Sequence, residues 1–233
     1  MVKLFGQKLN GSMLTLTDIT KSFTRQRVLE GVSLQVQAGE SLAVMGPSGS
    51  GKSTLLHCMS GVLTPDSGEV VFDGTNIAAL DDAARSKLRL NHFGFIFQDG
   101  QLLPELTATE NVALPQIMRG TSRKEAHEQA DDMLTRLGLG NFTNRFPGQL
   151  SGGQAQRVAI ARALAGPPKV VFADEPTAAL DQATGHEVMQ EIVAVAQKFG
   201  VTLVLVTHDP KIAAWCNRRI EIRDGLIHSE VAA

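Results

Sequence analysis

At 233 residues, with 43% hydrophobic residues, 20% charged residues and a net charge of −2, the chain has the composition of a folded globular protein. No apolar run approaches the ~20 residues that a bilayer crossing requires, so a membrane role would have to come through a partner. Charges of both signs are interspersed, without the basic footprint of a nucleic-acid binder, and Cys58 and Cys216 form neither a disulfide framework nor a metal-ligand pair and read as buried, inert thiols.

Residues 1–12 carry Lys3 and Lys8 with no apolar core between them. They read as a vector-derived leader ahead of Met13 rather than as a secretory signal. Leu14, Leu16 and Ile19, then Val28, Leu34 and Val36, then Glu69 to Phe72, fall in short strand-like stretches that predict an antiparallel flap. Phe23 lies between the first two stretches, as a core residue or as a stacking platform.

The run Gly46-Pro47-Ser48-Gly49-Ser50-Gly51-Lys52-Ser53-Thr54 fits the phosphate-loop pattern G-x-x-x-x-G-K-[ST], with an apolar strand before it and a helix after it. Glycines let the backbone turn its N–H groups inward, and the helix that follows points its positive end at the same place. Lys52 then supplies a point charge for the β- and γ-phosphates of a nucleotide, and Ser53 supplies a hydroxyl for Mg²⁺.

Gly61 closes the helix after this loop, and Asp81 to Leu90 reads as a further helix. Phe93 to Phe97 is a buried strand ending at Gln98. From Gln98 to about Ala165 strand signals vanish. Residues 109–117, 122–137 and 154–164 are helix-like, with Pro104, Pro115, Gly120 and Pro147-Gly148 as breaks. The α/β pattern then resumes: a strand over Lys169–Ala173 ends in Asp174-Glu175, a helix over 184–198 buries Val188, Ile192 and Val195, and a strand over Val201–Val206 ends at Thr207-His208. Arg219 to His228 forms a hairpin with a type I′ turn at Asp224-Gly225. In a parallel sheet the ends at Gln98, Asp174-Glu175 and His208 share an edge with the phosphate loop, which predicts polar groups converging on one phosphate.

Leu150-Ser151-Gly152-Gly153-Gln154 resembles the signature motif of ATP-binding cassette (ABC) ATPases. The other family motifs stand in the expected order: an aromatic at Phe23, Walker A at 46–54, the Q-loop at Gln98, Walker B at 170–175, the D-loop at Ala179-Leu180-Asp181 and the switch histidine at His208. The resemblance covers residues 13 to about 228. It implies an α/β P-loop NTPase of ABC type: a RecA-like core with an antiparallel β subdomain over 13–97 and 166–233, and an inserted helical subdomain over 98–165. By resemblance, Asp174 holds Mg²⁺ with Ser53 and Gln98, Glu175 is the general base, and His208 and Gln98 sense the γ-phosphate. Phe23 stacks on adenine, and Ser151 to Gln154 with Asp181 contact the nucleotide of a second copy in a head-to-tail dimer. Small departures from the common pattern are Ala155 after the signature, Ala178 before the D-loop, and Phe23 where Tyr is commoner.

Phe95-Ile96-Phe97-Gln98, Leu102-Leu103-Pro104 and Glu110 to Pro115 resemble the MacB/LolD/FtsE group, whose members work with FtsX-type membrane subunits. That implies a cytosolic ATPase subunit of a bacterial transporter, peripheral to the membrane through two copies of a permease. The implied work is efflux, with haem or another toxic amphiphile as cargo; the alternatives are an importer ATPase and an FtsE-like transmitter of motion that moves no cargo. Leu102, Leu103 and Leu106 either form a groove for the permease or pack the helical insert.

Overall fold

The computed structural model describes residues 12–24 and 26–232. In chain order the elements are β1 (Ser12–Phe23), β2 (Gln26–Gln37), β3 (Ser41–Met45), α1 (Lys52–Met59), β4 (Ser67–Phe72), β5 (Thr75–Asn76), α2 (Asp82–His92), β6 (Phe93–Ile96), α3 (Ala108–Met118) and α4 (Arg123–Arg136). They continue with α5 (Gly152–Leu164), β7 (Val170–Asp174), α6 (Gln182–Phe199), β8 (Thr202–Val206), α7 (Pro210–Ala213), β9 (Arg218–Arg223) and β10 (Leu226–Ala232). By packing, the chain divides into a first unit, up to Ser86 and from Val193 onward, and a second unit, Lys87–Ile192. Apart from Ser12, which opens β1, the leader lies outside the described residues. Among the described residues no helix is long and apolar enough to cross a membrane.

In the first unit β2, β1, β4 and β5 form an antiparallel sheet in that order. Leu14 faces Val36 and Phe72 across the ladders, and Leu16 faces Leu34 and Val70. All of these side chains are buried, so the period-two alternation places one apolar face of the flap in the core. Beside it β3 pairs in parallel with β8 and with β9, and β9 returns antiparallel into β10. The expected hairpin turn is present, with Asp224 at φ 48° and Gly225 at φ 74°, the paired left-handed residues of a type I′ turn. Cys58 and Cys216 are buried at 1% and 2% exposure. Burial pushes their thiols up to about 11 and about 12, well away from the thiolate form.

In the second unit β6 and β7 pair in parallel, Phe93 opposite Val170 and Phe95 opposite Phe172. Phe172 meets Phe93 edge-on, ring centroids 5.1 Å apart, and stacks on Phe95 at 5.7 Å. The helices are capped by side chains at their N-termini. Thr107 and Glu110 form a capping box on α3, Ser122 caps α4, and Ser151 and Gln154 form a second box on α5.

Pro115 corrects one expectation: it lies inside α3 without breaking it, and the helix runs from Ala108 to Met118 over the stretch read as helix-like. Proline removes only its own donation to the carbonyl four residues back. The flanking turns are held: the Arg119 N–H donates to Pro115 O at 3.2 Å, and buried Gln116 donates to Ala165 O at 2.7 Å.

Candidate nucleotide site

The first unit supplies the phosphate loop. β3 delivers the chain to Gly46, where φ is 143°, and Gly49 and Gly51 follow at 79° and 104°. A Cβ on Gly46 would lie 2.1 Å from Ile222 O and 2.8 Å from Ser50 Oγ, so only glycine fits where the loop passes β9. Pro47, Ser48 and Gly49 are exposed, whereas Ser50, Gly51 and Lys52 are buried. The Lys52 ammonium donates to Gly46 O at 3.0 Å and to Pro47 O at 2.9 Å, which folds its charge over the loop. The Ser50 hydroxyl is buried with no hydrogen-bond partner among the described residues. A curled loop, a cation laid across it and an unsatisfied hydroxyl suit a bound anion.

Helix α1 begins directly after this loop, with Gly51 as its N-cap and the Leu55 N–H on Gly51 O at 2.8 Å. Its first-turn amides and positive end lie at the loop, where a phosphate gains from both. Ser53 is exposed in that turn and Thr54 half-buried.

β8 carries His208. The strand is fully buried and pairs with β3 in parallel, so it ends on the same edge as β3, and Thr207 N–H donates to Val44 O at 3.2 Å. The chain then turns: Asp209 caps α7 by accepting from Lys211 N–H at 2.8 Å, and His208 is left exposed. Gly46 and His208 line one cleft of about 410 Å³ together with Arg219, Glu221 and Val231.

Phe23 stands at the end of β1 with 46% of its surface exposed, so it does not fill the core. The Lys21 ammonium lies 5.9 Å from its ring centroid.

The second unit carries the acidic and signature residues. β6 and β7 end in parallel at Gln98 and at Asp174-Glu175. Gln98 is exposed in the turn that follows β6, and both carboxylate residues are half-buried. Glu175 holds φ 44°, a left-handed conformation that is costly for a side chain of its type, and its carbonyl accepts from Ala178 N–H at 3.1 Å.

Ser151 caps α5 by accepting from Gln154 N–H at 3.3 Å, and the Gln154 carboxamide accepts from Ser151 N–H at 2.9 Å. The side chains of this box thus serve the helix, while Gly152 and Gly153 keep the helix start narrow. A Cβ on Gly153 would lie 2.8 Å from Thr184 Cγ2, and one on Gly152 3.4 Å from Leu180 Cδ2. Asp181 caps α6, accepting from Ala183 and Thr184 N–H at 3.1 Å. The side-chain and backbone hydrogen bonds of Thr184 hold its carboxyl below the usual range. Leu102 and Leu106 are half-buried and Leu103 is 42% exposed.

Further along α5, Gln156 and Arg157 continue the signature, and Arg162 lies beyond it, outside the motifs. Arg157 pairs with Glu191 at 3.0 Å. Gln156 and Arg162 hold the turn that carries Gln98. A lone arginine within the apolar run Val158 to Leu164 was the available signal for Arg162.

The sequence pattern of the family described as "ABC transporter" matches residues 29–178. The chain is 49% identical over 201 residues to the lipoprotein-releasing system ATP-binding protein LolD of Shewanella frigidimarina, which covers 86% of this chain and 84% of that protein. It is 44% identical over 225 residues to the macrolide export ATP-binding/permease protein MacB of Marinobacter nauticus, across 95% of this chain and 35% of MacB. The dimeric post-hydrolysis state of the ATP-binding cassette MJ0796, solved with ADP and Pi, matches at a TM-score of 0.88 and 41% identity, over 94% of this chain and 98% of that one. With the phosphate loop built as described and this likeness running nearly end to end, the chain belongs to the ABC transporter family, as an ATP-binding ATPase subunit with the family's α/β P-loop fold.

Proposed function

We propose that the chain powers an exporter: two copies close head to tail on ATP, hydrolyse it, and move a permease of the FtsX/MacB type at the cytoplasmic face of the membrane. The observation that carries this reading is the phosphate cradle of Gly46 to Ser53, with Lys52 laid across it and an unsatisfied Ser50 hydroxyl inside it. The likeness to chains named for lipoprotein release and for macrolide export supports an amphiphilic cargo, of which haem is one candidate. Leu102, Leu103 and Leu106 are the apolar surface offered to the permease.

The proposed roles follow from the chemistry of each group. The loop amides and Lys52 bind the β- and γ-phosphates, and Phe23 presents its exposed ring to the adenine. Among the described residues no three His, Cys, Asp or Glu are grouped for a metal. Mg²⁺ needs only one or two protein oxygens beside phosphate and water, and Ser53, Asp174 and Gln98 are oxygen donors of that kind. When bound, the ion neutralises charge on the β- and γ-phosphate oxygens. Glu175 takes a proton from water as the water oxygen bonds to the γ-phosphorus. The bond to the β–γ bridging oxygen breaks, leaving ADP and phosphate. His208 and Gln98 hold the γ-phosphate and the attacking water in line. Ser151, Gly152 and Gly153 offer the start of α5 to the nucleotide of the second copy, beside Gln154 and Asp181.

Glu175→Gln tests the assignment. It keeps the shape and removes the base, so ATP binding is retained, turnover falls below about one-hundredth of the parent rate, and ATP traps a dimer in size-exclusion chromatography. Turnover at the parent rate refutes Glu175 as base. Capture of the tagged trapped variant from detergent-solubilised native membranes then identifies the permease by mass; a multi-span importer permease in its place overturns the export reading.

A further inference from the structure

Gln98 sits in a turn, Phe97 to Gln101, whose backbone is demanding. The Gly100 N–H donates to Phe97 O at 3.1 Å, and Gly100 and Gln101 follow one another at φ 68° and 43°. Two successive residues in the left-handed region, one of them not glycine, persist only where neighbours hold them there.

The neighbour is α5. Gln156, 3% exposed, donates its amide to Phe97 O at 3.1 Å. Arg162, six positions further along the same helix, donates to Gly100 O at 2.7 Å and to Gln101 O at 2.8 Å. The turn lies directly on the helix: a Cβ on Gly100 would be 3.4 Å from Gln156 Oε1 and 3.5 Å from Ala159 Cβ. Burial pulls the Arg162 guanidinium below the usual arginine range, so its charge is desolvated to serve these carbonyls. A planar fork meets two adjacent carbonyls at once, which an ammonium on a flexible stem does less well.

The same helix starts at Ser151, and α5 is a continuous 13-residue element. We propose that Arg162 and Gln156 are positioning residues for Gln98: they bind its turn to α5, so that engagement of the Ser151 end by nucleotide carries Gln98 with it. This rests on the reading of Gln98 and Ser151 given under Proposed function.

The test uses the full chain and compares Arg162→Lys, Gln98→Ala and the double variant. Arg162→Lys is expected to raise amide exchange across residues 98–103 while α4 stays protected. It should also lower kcat about ten- to a hundredfold with KM for ATP within about twofold, because misplacement of a group by about 1 Å costs on that order. Once Gln98 is gone its position no longer matters, so the double variant should be no slower than Gln98→Ala. Unchanged exchange at 98–103, or losses that multiply in the double variant, overturns the positioning role. If Gln98→Ala turns over like the parent, the sensor reading of Gln98 fails and the positioning role falls with it. If Arg162→Lys does not fold, Gln156→Met, which keeps volume and loses the donor to Phe97 O, enters the same comparison with the same criteria.

Discussion

Glu175 combines a carboxylate at the end of a buried strand with a left-handed backbone at φ 44°. Such a conformation costs a non-glycine residue about 1–2 kcal/mol. Glycine reverses the usual order of substitution here. Glu175→Gly and Glu175→Ala both lack the carboxylate, so their difference isolates the backbone. Glu175→Gly is expected to melt about 2–4 °C above Glu175→Ala, the shift that about 1 kcal/mol makes in a domain of this size. The opposite order, with alanine higher, would show that the site carries no backbone strain. The phosphate loop was legible because its chemistry demands particular residue types at particular spacings, whereas Asp174, Glu175 and His208 stood out only as polar residues at the ends of apolar strands, with roles implied by family resemblance. Arg162 was not legible, because its partners are the carbonyls of Gly100 and Gln101, and any residue supplies a carbonyl. The strain at Glu175 left no trace in the sequence for a related reason: glutamate is a residue that composition alone would place anywhere but there.

The start of α5 works as an element because two glycines let it lie against the D-loop and α6. Leu180 and Thr184 occupy the space that side chains at Gly152 and Gly153 would need. Gly153→Ala forces a Cβ to within 2.8 Å of Thr184 Cγ2, and the β-branched threonine has little rotamer freedom to yield. The expected result is a loss of ATPase activity of about tenfold or more, with the far-ultraviolet circular dichroism of the parent. Thr184→Ser removes the clashing methyl and keeps the hydroxyl beside Asp181, so the double variant should recover most of the rate. Failure of that rescue would mean that Gly153 acts through its contact with nucleotide and not through packing. Helices α3, α4 and α5 were visible as helix-like stretches over 109–117, 122–137 and 154–164, while the caps at Thr107 and Ser122 emerged only in the structure. Pro115 misled at this scale, because local propensity weighs a proline heavily while buried Val112, Ala113 and Gln116 keep α3 running through it.

For the whole molecule, the residues of the proposed reaction divide by chain position into two sets. Lys52, Ser53 and His208 belong to the first unit; Ser151, Gly152 and Gly153 belong to the second. A head-to-tail dimer is a two-fold arrangement in which the phosphate loop of each copy meets the signature of the other. That reading makes a prediction that no single-copy site makes. Lys52→Ala removes the charge that folds over the loop, and Ser151→Arg replaces a small cap with a bulky cation; each homodimer then has two damaged sites and should be inactive. In a mixed dimer one site combines both defects, and the other joins an intact Lys52 to an intact Ser151. An equal mixture therefore forms mixed dimers in about half of all pairs, each with one working site of two, and recovers about a quarter of the parent rate if sites fire independently. No recovery, with mixed dimers demonstrated by differential tagging, would mean either that repeated turnover needs both sites or that the signature serves its own chain. An asymmetric dimer purified through two tags separates these, because single-turnover hydrolysis at its one intact site survives in the first case and is lost in the second.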